Sequence, residues 1–245
     1  MQSTLHELLA YTHWAREKSF ELAEGLSLAQ LDRAFEMGLG SIRNTLHHLW
    51  AAERLWLDRW SIGGVPQFVQ PEMELPIAKL RERARATAEE RDAFFARQTE
   101  ESLAKPLAYT HVNGNKYNMP LWGQILHVIN HGIHHRAQFV NMLRHVGGTV
   151  PKPGLDYIFY RLDKKDEPAP ELNLAAIRSY ESYADWGTRK LLDLAAKLSD
   201  AQLDKPFKMG MGTLRKSFAH LRDAEAWWHK NWTSGPAGGF PAADD

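Results

Sequence analysis

The chain has 245 residues, no cysteine, and 30 basic against 30 acidic side chains, so its formal net charge is zero. The missing cysteines exclude disulfides, thiolate metal ligands and a protein thiol nucleophile. The even charge balance argues against a duplex-binding surface, which is usually basic. The length suits one large domain, or one domain plus a fragment.

The N-terminal residues Met1–Glu7 lack a basic stretch followed by an apolar core, so no signal peptide is expected. No run of about 18 apolar residues is present, so no membrane span is expected. Those two readings make a cytoplasmic protein the expectation.

Helical periodicity dominates. The first helix is predicted from about Thr4 to Glu24, with Leu5, Leu8, Leu9, Ala15 and Leu22 as its apolar positions and Gly25 as its stop. Ser41 is the expected N-cap of a second helix to about Trp60, closed by Gly63 and Gly64. A third is predicted from about Pro76 to Leu103. On it Arg81, Arg83, Arg85 and Arg91 alternate with Glu82, Glu89 and Glu90, the pattern of a solvated face. The stretch from Tyr109 to Pro120 contains Asn113-Gly114 and reads as a short hairpin or ordered loop. A fourth helix is predicted from about Met119 to His145, with Pro120 in its first turn and Gly147-Gly148 beyond its end. Four long amphipathic helices argue for an all-α four-helix bundle.

The C-terminal third repeats the beginning. A shift of 172 residues lays Tyr11 on Tyr183, Trp14 on Trp186 and Ala29–Asp32 on Ala201–Asp204 without a gap. It also lays Gly38 and Gly40 on Gly210 and Gly212, and Trp56 and Trp60 on Trp228 and Trp232. The first two helices are thus repeated, whereas the third and fourth are not. The expected layout is a bundle over residues 1–160, a linker over 161–173, a helix hairpin over 174–233 and a loose tail over 234–245.

Chemistry concentrates in "NHGIHHRAQ", residues 130–138. With His127 just upstream, four of the chain's twelve histidines fall within nine residues. Residues four apart share a helix face, so His131 and His135 can aim at one point. His135 falls inside the stripe formed by Leu121, Ile125, Val128, Phe139 and Met142, and His131 falls on its edge. His127, His134 and Gln138 lie further round. Neutral imidazole is a common ligand for zinc, nickel or iron. Two such ligands leave a site incomplete, because catalytic zinc usually takes three protein ligands plus water. The third is expected from the second helix, whose apolar face is Ile42, Leu49, Ala52, Trp56 and Trp60. His48 lies beside that face and His47 nearly opposite it. The repeat agrees, with His220 in the place of His48 and Ala219 in the place of His47.

A single inward histidine is commonly a hydrogen-bonded core residue. A spaced pair plus an independent third points instead to a metal held by His48, His131 and His135. The tryptophans are read as core and Glu53 as a structural contact. His6, His13, His111, His145 and His229 are read as surface residues.

The segment "SIRNTLHHLWAAERLWL", followed about 80 residues later by "HVINHGIHHRAQFVNML", resembles the DinB-like (YfiT-like) metal-dependent bundle proteins. The resemblance covers about residues 1–160. It implies a four-helix bundle, a divalent metal on His48, His131 and His135, and a homodimer. Relatives of this kind include transferases of low-molecular-weight thiols and a thiol-dependent isomerase. The iron-dependent sulfoxide synthases share the metal motif but carry glutamate two residues after the second paired histidine. Here that position is Ala137, which argues against an iron oxygenase.

Two functions follow as expectations. One is a metal-dependent enzyme acting on a small molecule: a transferase that borrows its thiol from a low-molecular-weight cosubstrate, or a hydrolase. Zinc or nickel leads for the metal, ahead of iron or manganese. His134, His127 and Gln138 are then the candidates to position substrate or water, and no firm general base is evident. The other is a non-catalytic metal-binding stress or interaction protein. In either case the repeated hairpin carries too much apolar surface to leave in water, through Leu191, Leu194, Leu198, Leu214, Leu221 and Trp228. It should dock on its own bundle or pair with its twin in a second chain.

Overall fold

The structure is a computed structural model and describes residues 1–72, 75–111, 114–168, 171–236 and 238–240. Two compact units are present, Met1–Arg178 and Ser179–Asp245. The first begins with α1 (Gln2–Glu24), a single turn α2 (Leu28–Leu31) and α3 (Ile42–Ser61). It continues with α4 (Ile77–Phe95), the short α5 (Glu100–Ala104), a hairpin of β1 (Pro106–Thr110) and β2 (Lys116–Pro120), α6 (Leu121–His145) and α7 (Tyr157–Asp163). No helix among the described residues is long and apolar enough to cross a membrane.

The helix starts have local causes. The Ser41 hydroxyl accepts from the Asn44 backbone N–H, satisfying an N–H that has no partner within α3; such a cap is worth about 1 kcal/mol. The expected third helix is two helices. It breaks after Phe95 because Thr99 caps a new turn, its side chain accepting from the Ser102 N–H while Ser102 Oγ accepts from the Thr99 N–H. The hairpin is where it was expected, with Tyr109 facing Tyr117 in antiparallel register. Asn113, half of the expected turn, lies outside the described residues. So do Ala169 and Pro170 of the expected linker, and Ala237 and residues 241–245 of the expected tail. The linker, expected from Arg161, begins inside α7.

Helices α1 and α3 each pack on both α4 and α6, and touch each other far less. They therefore sit on opposite corners of a four-helix bundle. Apolar clusters fill its two ends. Phe20, Leu46, Leu80, Phe139 and Met142 form one. Leu5, Trp60, Phe95, Ile125 and Ile129 form the other. Trp60 extends this second cluster to the hairpin: its indole donates to Gln124 Oε1 at 3.1 Å, and the Gln124 amide donates to the Leu107 and Met119 carbonyls.

The middle of the bundle is polar. Arg16 from α1, Glu53 from α3 and Arg91 from α4 are buried there, the arginines pairing with separate oxygens of the one carboxylate. Arg91 was expected on a solvated face but is 1 % exposed. Charge alternation along α4 could not show that Glu53 faces that position. Arg81, Arg83 and Arg85 do pair with glutamates at the surface.

The second unit holds the C-terminal part of α8 (Leu174–Ala195), α9 (Asp200–Leu203) and α10 (Leu214–Ser234). Its local geometry matches the segment that the sequence shift lays over it. Ser199 and Gln202 form the same capping box as Ser27 and Gln30. Arg215 pairs with both oxygens of Asp204 at 2.6 and 3.1 Å, and Arg43 with those of Asp32 at the same distances. Gly210 and Gly212 take left-handed φ of 52° and 85°, against 55° and 80° at Gly38 and Gly40. The expectation of core tryptophans fails here: Trp186 is 57 % and Trp232 76 % exposed, because this unit has no counterparts of α4 and α6 to cover them.

Candidate metal centre

Helices α3 and α6 bring three imidazoles together in the polar middle of the bundle. His131 Nε2 lies 3.2 Å from His48 Nε2 and 3.2 Å from His135 Nε2. One ring nitrogen of each lies within 4.8 Å of the other two. His135 is buried and the other two are half-buried, so the group sits at a wall of the bundle. Phe68, in the segment that crosses from α3 to α4, places its ring 5.4 Å from that of His48.

Burial chiefly, and then the neighbouring imidazoles, lowers the pKa of His48 to about 4 and that of His131 to about 3. His135 is also lowered, by burial, against an opposing hydrogen bond to Gln138. All three rings are therefore neutral at pH 7, the state in which imidazole offers a lone pair. Tetrahedral metal–nitrogen bonds of roughly 2.0–2.1 Å set neighbouring ligand nitrogens about 3.3 Å apart. The observed 3.2 Å spacings match that value, so the donor set could hold a divalent ion.

Gln138 orients the group. Its Oε1 lies 2.8 Å from His135 Nδ1, and its Nε2 lies 2.9 Å from His134 Nε2. An amide nitrogen can only donate and an amide oxygen can only accept. His135 thus carries its proton on Nδ1, which leaves the Nε2 lone pair facing His48 and His131. The exposed His134 is the last group in this chain. His127 is also exposed. Its ring stands edge-on to Trp56 at 5.2 Å and lies 5.7 Å from His131. The three positioning candidates therefore differ: Gln138 and His134 are bonded to the group, and His127 flanks it.

His47 departs from the expected outward position. It is 3 % exposed, stands edge-on to Trp50 at 5.4 Å and lies outside the cluster. The crossing segment covers the side of α3 that a helical wheel assigned to water. His13 is half-buried against Arg16, 3.1 Å from its guanidinium, and His145 is half-buried beside Phe35. His6, His111 and His229 are exposed as expected.

Helical spacing left Gly38, Gly132 and Arg136 unassigned. A Cβ on Gly38 would lie 2.6 Å from Gln138 Oε1, and one on Gly132 would lie 2.8 Å from Arg136 Nη1. Both glycines make room for side chains packed around the histidines. The signal for Gly132 was its place between two histidines in "NHGIHH".

The DinB family model matches residues 1–167. Protein DinB of Bacillus subtilis (strain 168) is 25 % identical over 181 residues, covering 69 % of this chain and 100 % of that protein. The crystal structure of a DinB-like protein from Bacillus cereus ATCC 10987 superposes with a TM-score of 0.46 at 20 % identity, covering 62 % of this chain and 98 % of that one. The family match spans well over half of the sequence and takes in all three clustered histidines; this chain belongs to the DinB family.

Proposed function

We propose that the chain is a divalent-metal-dependent enzyme acting on a small molecule, with His48, His131 and His135 holding the metal. A thiol-dependent transferase is the favoured reaction and a hydrolase the next. The observation that carries this reading is the convergence of three neutral imidazoles on a wall of the bundle, with His131 Nε2 3.2 Å from the Nε2 of His48 and of His135 and all three within 4.8 Å of one another. Three neutral ligands leave a bound ion its full double charge, which supplies the Lewis acidity that lowers the pKa of a coordinated thiol or water. Zinc and nickel suit an all-imidazole set. The chain has no cysteine, so the thiol comes from a cosubstrate.

The protein's own residues have separable tasks. Gln138 fixes the tautomer of His135 and ties it to His134. His134, exposed at the end of that chain, is the imidazole placed to exchange a proton with substrate or solvent. Phe68 shields the His48 side from water. His127, beside Trp56, lines the approach.

The exposed apolar faces of α8 and α10 suggest a homodimer in which the second unit is covered by its twin; Leu191, Leu194, Leu221 and Trp228 are each 39–61 % exposed.

The decisive experiment measures metal content in protein purified without a histidine tag, then turnover with a panel of low-molecular-weight thiols and electrophiles. Stoichiometric metal with thiol consumption supports the transferase. Stoichiometric metal without turnover of any thiol or ester supports a non-catalytic metal-binding role instead. Absence of bound metal sinks both.

A further inference from the structure

Behind His131, on the side facing α1, lies a cavity of about 20 Å³. Thr12, Arg16, Glu53, His131, Gly132 and Arg136 line it. That volume suits one water or one monatomic ion and is too small for a substrate group. Three of its lining residues carry buried polar atoms with no partner: Thr12 Oγ1, Arg16 Nε and Arg136 Nη2. These residues are 6 %, 2 % and 3 % exposed.

All three atoms can donate, and the two guanidinium nitrogens can do nothing else. Each oxygen of the lining carboxylate of Glu53 already accepts from one arginine, Arg16 or Arg91. Arg136 makes no ion pair among the described residues, and its guanidinium lies 5.4 Å from the Tyr11 ring centre. The buried layer therefore sets three guanidinium cations, of Arg16, Arg91 and Arg136, against the single carboxylate of Glu53. Asp92 offsets Arg91 from a position 64 % exposed, where water screens it. A water molecule in the cavity could place its own hydrogens only on the Thr12 hydroxyl or on the lone pairs that Glu53 keeps free of its two arginines, and it would leave the excess positive charge in place. A monatomic anion would accept from all three and offset part of the excess positive charge.

We propose that this cavity is a binding site for a halide-sized anion, chloride being the ordinary occupant, held by Arg136, Thr12 and Arg16 behind the imidazole of His131. The site is distinct from the histidine cluster and does not depend on that cluster's binding a metal. Gly132 belongs to its construction, because a side chain there would press on Arg136.

The test uses the full-length protein crystallised in sodium bromide, with data collected at the bromine edge. An anomalous peak within hydrogen-bond distance of Arg136 Nη2 and Thr12 Oγ1 is expected. In solution, the melting temperature should rise with sodium chloride or bromide but not with sodium gluconate at equal ionic strength, because gluconate cannot enter. Thr12→Val keeps the volume and removes one donor, so the halide midpoint should move up about tenfold. Metal content of Thr12→Val should stay at the wild-type level, which separates this site from the histidine cluster. Ordinary water density without anomalous signal, or equal melting in chloride and gluconate, overturns the proposal.

Discussion

Gly38 and Gln138 are 100 residues apart in sequence and compete for one space: a Cβ on Gly38 would stand 2.6 Å from the Gln138 oxygen that accepts from His135. Gly38 also has a left-handed φ of 55°, a conformation that costs a residue with a side chain about 1–2 kcal/mol. Its counterpart Gly210 has nearly the same φ, 52°, with nothing within 4 Å of the added carbon.

Gly38→Ala and Gly210→Ala should therefore differ in kind. Both should lose about 1–2 kcal/mol from backbone strain. Only Gly38→Ala should also weaken metal binding, by roughly 10–100-fold, the usual effect of losing a group that orients a metal ligand. Gln138→Ala should reproduce that loss without the strain. Zinc titration and urea unfolding of the three variants would decide it. Equal affinity in Gly38→Ala and Gly210→Ala would remove Gln138 from its positioning role.

The proposed ligands can be separated from their neighbour. His131→Ala and His135→Ala should bring bound metal to well below one equivalent, since two imidazoles seldom hold an ion. His48→Ala should do the same. His47→Ala should keep its metal while losing stability, because His47 is buried against Trp50. Metal analysis by mass spectrometry beside thermal melting distinguishes the two effects.

Glu53 holds the polar layer together. Burial pushes its pKa upward, but Arg16 and Arg91 outweigh burial and keep the carboxyl below its ordinary range. Glu53→Ala leaves two buried guanidinium groups without their shared carboxylate and should cost about 3–5 kcal/mol. Replacing Lys79, which pairs with the exposed Glu82 at the surface, should cost less than about 1 kcal/mol. Denaturant midpoints would show whether this order holds.

Acid should expose the strain at His13. Burial, and then Arg16 and Arg91, lower its pKa below 6.5. As pH falls below 6.5 the unfolded chain takes up a proton that the folded chain resists, so stability drops until pH passes the lowered folded value. His13→Gln removes that contribution. Its loss of stability between pH 7.5 and pH 5.5 should be smaller than that of the wild type, as read from urea unfolding at each pH; an identical loss would contradict the assignment.

Residues 171–176 belong with the bundle. Ser3 Oγ donates to the Glu171 carbonyl at 2.7 Å, the Asn173 N–H donates to Thr4 Oγ1 at 2.8 Å, and Ala176 is 3 % exposed. A truncation meant to remove the second unit should therefore end after Arg178 and not within the linker expected over 161–173. If a second copy covers the exposed apolar faces of that unit, the truncated chain should fall to a monomer by light scattering. A shortened protein with the oligomeric state of the full chain would exclude the second unit as the interface.

The i, i+4 spacing of His131 and His135 is a helical fact, and the apolar stripe of α6 already aimed them inward. The side of α3 on which His48 lies follows from the same short-range periodicity. Charge pairing across helices does not. Arg91 read as a surface arginine because its partner Glu53 lies 38 residues away on another helix. His47 read as exposed because a helical wheel cannot include the crossing segment that covers it. Gly38 stood out in the sequence only as the counterpart of Gly210, and it is the packing of α6 that places the Gln138 side chain in its space. Periodicity along one helix determines which face is apolar; which side chains meet across helices is decided by tertiary packing, since those contacts depend on the relative rotation and height of separate elements.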